Sequence, residues 1–110
     1  MRELFLKALA VSRADVKPNL FKLGKLQEEG GELAEAVLHH EGYLPHKTMK
    51  EPLSGEVADV ILVALDIHRG CNPDMNDEQL VDYLIDQMTM KLVKWENIVD
   101  KANKEVKNLK

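Results

Sequence analysis

Apolar residues along this chain recur at intervals of three and four rather than two, the period of a helix. No segment alternates as a strand would, and neither an internal repeat nor a low-complexity stretch is present. The pattern predicts an all-α domain of four helices. The first covers about 2–13, with Leu4, Leu9 and Val11 inward, and ends at "DVKPN", where the proline disfavours helix in the residue before it. The second runs over about 19–40 with an apolar stripe of Leu23, Leu26, Leu33 and Val37. Gly30 and Gly31 inside it cost about 1 kcal/mol each against alanine, a sacrifice that would suit close approach by a neighbouring helix or a ligand. "HEGYLPHKTMKEP" is a loop broken by Gly42, Pro45 and Pro52.

The third helix spans about 53–69 and stops at Gly70. Its stretch "VADVILVALDI" is apolar nearly all round and should be central. After the turn "GCNPDMN", Asn76 and Gln79 form a capping box for the fourth helix. Val81, Leu84, Met88, Leu92, Trp95, Val99, Ala102, Val106 and Leu109 then alternate three and four apart to the C-terminus, a heptad-like seam. About 32 residues give a rod of about 48 Å, more than one small bundle covers, so its far end is expected to pack on another subunit.

The chain has 110 residues, enough for one domain (1–110) with a single core. Aromatics make up only 5%, so that core is aliphatic. A net charge of -4 argues against a nucleic-acid-tracking surface, and the basic tail Lys101, Lys104, Lys107 and Lys110 reads as a solvated helix face. The single cysteine, Cys71, forms no internal disulfide, which points to a reducing, cytoplasmic setting, and it has no obvious base beside it. The start "MRELFLKALAV" lacks the apolar core of a signal peptide, and no run of about 18 apolar residues would span a membrane.

The candidate chemistry lies in "LQEEGGELAEAV". At about 100° per residue, Glu29 falls about 60° from Leu26 and Glu32 follows on the same side, while Glu28 and Glu35 point outward. Glu56, Asp59 and Asp66 likewise fall within about 80° of one another on the third helix, among Leu62, Val63 and Ile67. Two helices thus each carry an i,i+3 acid pair, Glu29 with Glu32 and Glu56 with Asp59, on a largely apolar element. Four unpaired charges there would cost several kcal/mol or shift their pKa values upward. A hard divalent cation such as Mg²⁺, which takes oxygen ligands and is usually shared with substrate phosphates, resolves the conflict. The plain alternative is a wet groove of salt-bridged acids.

"EEGGE" followed after 23 residues by "EVAD" resembles the ExxE…ExxD pattern of the all-α nucleotide pyrophosphohydrolases, the superfamily of MazG, the dimeric dUTPases and the dCTP pyrophosphatases. "KPNLFKLGKLQEEGGELAEAV" and "SGEVADVILVALDI" extend the MazG-like resemblance over roughly residues 16–95. The resemblance implies a four-helix bundle with a long C-terminal helix that assembles as a dimer or tetramer. It implies Mg²⁺, with Mn²⁺ as a substitute, held by Glu29, Glu32, Glu56 and Asp59. It further implies water attack that splits a (d)NTP between its α- and β-phosphates into (d)NMP and pyrophosphate, for nucleotide-pool control. Glu29 or Glu32 could accept the water's proton.

Many members of the superfamily it resembles carry "KxxxN" on the last core helix; here Lys91 fits the lysine but Trp95 replaces the asparagine. Trp95 then either packs in the seam or stacks on a base, and Lys94, Lys47 or Lys50 could take over a phosphate contact. Asn19, the asparagine of "PNL", either touches the nucleotide or caps its helix. His39 and His40 sit at a helix C-terminus, His46 in a loop, and His68 on an apolar face suited to core or interface. A di-iron bundle would need Glu-x-x-His pairs, yet Ala36, Val37, Tyr43 and Leu65 stand three residues before the histidines. Two rival functions fit parts of the pattern: phosphoribosyl-ATP hydrolysis, and a non-enzymatic helical interaction module built on the long seam.

Overall fold

A computed structural model describes residues 1–109. It contains four helices, α1 (Arg2–Ala14), α2 (Asn19–His40), α3 (Leu53–Gly70) and α4 (Asp77–Asn108), with no strand among the described residues. The periodicity therefore located each helix to within a residue or two. Asn76 caps α4 as anticipated: its Oδ1 accepts from the Gln79 N–H at 2.9 Å, and the Gln79 Oε1 accepts from the Asn76 N–H at 3.0 Å. α2 ends in a turn through Gly42, whose φ of 86° is a conformation that strains any side chain. Among the described residues no helix is long and apolar enough to cross a membrane.

α3 is the hub, packing against all three other helices, whereas α2 touches α3 alone. The core sits where α1, α3 and α4 meet. Leu9, Leu65, Leu80 and Val81 are buried there, with Phe5, Leu6, Ala8, Met75 and Leu84 packed around them. His68 joins this junction, its Nε2 lying 3.0 Å from the Leu80 carbonyl oxygen and its ring stacked on Tyr83. Of the residues expected inward on α1, Leu9 is buried but Leu4 and Val11 face solvent. Ser12 takes the inward position instead, because it is bonded to Asp66 and Arg69 of α3.

The buried face of α2 is also rotated from the expected stripe. Lys22, Glu29 and Ala36 are buried, with Leu26 and Leu33 half-buried between them, while Leu23 and Val37 leave nearly half of their surface in solvent. The reason is electrostatic. Lys22 finds Asp66 of α3 at 2.8 Å and so takes the inward place that the pattern gives to Leu23, while Glu29, expected inward, is buried and finds Lys25 at 3.2 Å. Gly30 and Gly31 meet no neighbouring group, so the expected close approach does not occur within the chain. Gly70 does have a close neighbour. A Cβ at this position would lie 2.1 Å from Asn19 Oδ1, and the Asn19 amide donates to the Gly70 carbonyl at 3.1 Å.

From Met88 onward every described residue of α4 is exposed, including Leu92, Trp95, Ile98, Val99 and Val106. Val57, Ile61 and Leu62 on α3 are also partly uncovered. One copy of the chain thus leaves much of its apolar surface in water.

Candidate metal centre

α2 and α3 run antiparallel, so the acid pairs that the sequence sets apart meet across their interface. Carboxylate oxygens of Glu29, Glu32 and Glu56 all lie within 4.8 Å of one another. A second trio, Glu51, Glu56 and Asp59, meets the same limit. Glu56 belongs to both, so the four sequence-predicted ligands form two overlapping groups bridged by one residue. Glu51, which sequence reasoning missed, lies outside the helical pattern, just ahead of Pro52, the residue that precedes α3. Its side chain folds over Gly55, leaving an added Cβ there only 3.2 Å from Glu51 Oε2. The start of α3 places its partial positive charge beside Glu51 and Glu56.

These carboxylates differ in setting. Glu29 is 6% exposed; its Oε1 meets Lys25, while its Oε2 is buried with no donor. Glu56 also holds a buried Oε2 without a partner. Glu32, expected inward like Glu29, stands at the solvent rim with its carboxylate turned toward the other two. The Glu29 charge, and then partial desolvation, raise the Glu32 pKa above the usual carboxylate value. Glu56 is raised chiefly by desolvation, and further by the charges of Glu51, Asp59 and Glu29. Of the outer glutamates, Glu28 lies 3.6 Å from Lys25 and Glu35 pairs with Lys47.

Orphaned oxygens that only accept, held together by backbone packing, match the donor set of Mg²⁺ or Mn²⁺. The only cation of α2 beside the cluster, Lys25, is shared between Glu28 and Glu29 and cannot neutralise five carboxylates. Lys91 and Trp95 are elsewhere, lining an apolar groove between the start of α1 and the middle of α4, and Lys94 lies exposed on α4. Since α4 does not touch α2, a single chain does not bring these three to the acids. Asn19 is engaged with Gly70, and the residue preceding α2 in the cap position is Pro18.

No family model, curated protein or solved structure matches the chain.

Proposed function

We propose that the chain is a magnesium-dependent nucleoside triphosphate pyrophosphohydrolase, cutting a (d)NTP between the α- and β-phosphates to give (d)NMP and pyrophosphate. The observation that carries this reading is the pair of buried, donorless oxygens on Glu29 and Glu56, facing one carboxylate cluster from two helices. Bound there, Mg²⁺ would offset phosphate charge and make a coordinated water more acidic. Glu29, Glu56 and Asp59 are the ligands in this scheme, with Glu51 extending the set. Glu32, exposed and with a raised pKa, takes the proton of the attacking water. Lys25 is the cation of this chain best placed to meet the phosphates as they approach Glu29. The uncovered apolar seam of α4 supports assembly as a dimer or tetramer, in which Lys91, Lys94 and Trp95 join the substrate only from a neighbouring copy.

The seam alone would also suit an interaction module, but it gives no role to five clustered acids. Incubation with each ribo- and deoxyribonucleoside triphosphate and Mg²⁺, with chromatographic identification of products, tests the proposal. Monophosphate and pyrophosphate in equal amounts are expected from at least one nucleotide, and no Mg²⁺-dependent turnover on any would overturn it.

A further inference from the structure

The groove beside the acid cluster is chemically distinct from it. It encloses about 550 Å³ between α1, α2 and α3. Its walls are apolar where Val11, Phe21 and Leu62 line it, and Lys25 and Glu28 mark the side that adjoins Glu29. On its lining sits a charged group that the proposed hydrolysis does not use. Lys22 is 3% exposed, and its Nζ lies 2.8 Å from Asp66 Oδ1. The approach is not aligned as a hydrogen bond, which leaves this buried ammonium without an aligned acceptor. Ser12 Oγ donates to the same Asp66 oxygen and accepts from Arg69 Nε at 2.6 Å. Among the described residues no hydrogen bond reaches Asp66 Oδ2, and the Asp66 side chain keeps 24% of its surface open.

From Lys22 to Glu29 on α2 is seven residues, and from Asp66 to Asp59 on α3 is the same step. Each covers about 10 Å, so the charged pair and the acid cluster are two stations at matched depth along one helix interface. We infer that this groove holds the base of the nucleotide whose phosphates lie at the acid cluster, and that Asp66 selects a base bearing an exocyclic amino group. The inference rests on the pyrophosphohydrolase reading and deepens it.

A carboxylate paired with Lys22 accepts and does not donate. An amino group on cytosine or adenine projects from the ring edge and reaches a single open oxygen. The N3–H of uracil lies between two carbonyl oxygens, which would face the carboxylate and be repelled. Lys22 Nζ is buried against Asp66 Oδ1 and leaves Oδ2 as the oxygen that meets the amino group. Apolar walls accept the ring faces, and Lys17, 5.5 Å above the Phe21 ring, closes one rim.

dCTP and dUTP differ at this edge and are matched in size, so their kcat/KM ratio is the readout, measured with Mg²⁺ for wild type, Asp66→Asn and Val11→Trp. Wild type is expected to favour dCTP by about ten- to hundredfold, the scale of one well-placed base-edge contact. Asp66→Asn, whose amide can donate as well as accept, should bring the ratio near one. Val11 is exposed on the groove wall, so Val11→Trp keeps the fold and should raise KM for dCTP at least tenfold with kcat little changed. Should Asp66→Asn fail to fold, Val11→Trp decides the matter by its KM for dCTP, and the paired Lys22→Met/Asp66→Leu variant decides it by the same ratio. A wild-type preference for dUTP, or a ratio and KM unmoved by these variants while hydrolysis persists, overturns the groove assignment and leaves the enzymatic reading intact. Absence of turnover by wild type on both nucleotides and the wider panel sinks both.

Discussion

Replacing Glu29 by glutamine separates a strained acceptor from an ordinary buried glutamate. In the metal-free protein the Glu29 Oε2 is buried without a donor, beside Glu32 and Glu56. Leaving a buried charged acceptor unsatisfied costs on the order of 1–3 kcal/mol. The Glu29→Gln side chain keeps the shape, sheds the charge and places an amide donor among acceptors. Against that gain stands the loss of the Lys25 contact, which is small because nearly half of the Lys25 side chain lies in water. The net expectation is a stabilisation of about 1 kcal/mol, or a rise of about 4 °C in Tm for a domain of this size. Mg²⁺ reverses the order. At ten times its Kd the ion stabilises wild type by about 1.4 kcal/mol and should do little for the variant. Thermal melts followed by circular dichroism, in EDTA and in Mg²⁺, measure both effects. A variant that melts below wild type by the same margin in both buffers would refute the reasoning, since Glu29 would then be satisfied without a cation.

Glu32→Gln and Asp59→Asn should each abolish Mg²⁺-dependent pyrophosphate release while leaving the helical circular dichroism intact; retention of most activity would show that the ligand and base assignments are wrong. The pH dependence has a definite sign. Glu32 and Glu56 have folded pKa values raised above 4.5, so the folded chain binds more protons than the unfolded one between about that value and their raised values. The metal-free protein should therefore gain stability as pH falls through this window and lose Mg²⁺ affinity over the same range, both readable by melts. Asp15, lowered by its bond from the Lys17 N–H, works in the opposite sense only below about 3.8. Lys22→Met strands Asp66 and should cost about 2–3 kcal/mol in urea denaturation, whereas the paired Lys22→Met/Asp66→Leu change should recover most of it. Leu92→Asp with Trp95→Asp should lower the mass seen by light scattering if the α4 seam joins copies, and a wild-type monomer at all concentrations would rule that out.

The helices were legible because their punctuation is local: Pro18, Gly42, Pro52 and the Asn76–Gln79 box each act within a few residues. The approach of Glu29 and Glu32 to Glu56 was foreshadowed because i,i+3 acids on an apolar element have few comfortable outcomes, while Asp59 joins only through Glu56. What the periodicity hid was the rotation of α2. A helical wheel scores Lys22 as polar and Leu23 as apolar, and it cannot know that Asp66, on another helix, makes Lys22 the one that is buried. Glu51 escaped for a related reason. It lies in a loop with no period, and only the start of α3 brings it back over Gly55 toward Glu56.

The distribution of burial explains why an acid cluster can sit on so thin a scaffold. The aliphatic core lies where α1, α3 and α4 meet, so α2 is held on one side only, through α3. Much of what it buries is charge: Lys22 against Asp66, and Glu29 within the cluster. Such an interface gains little from apolar area and depends on charge balance. Lys22 supplies that balance at one end permanently. At the other end the acids outnumber Lys25, the lysine of α2 paired with Glu29, so a cation arriving at Glu29 and Glu56 would complete the α2–α3 interface as well as the site. Metal binding and the docking of α2 would then be one equilibrium, and any change that neutralises the cluster without metal should tighten α2 while removing Mg²⁺-dependent hydrolysis.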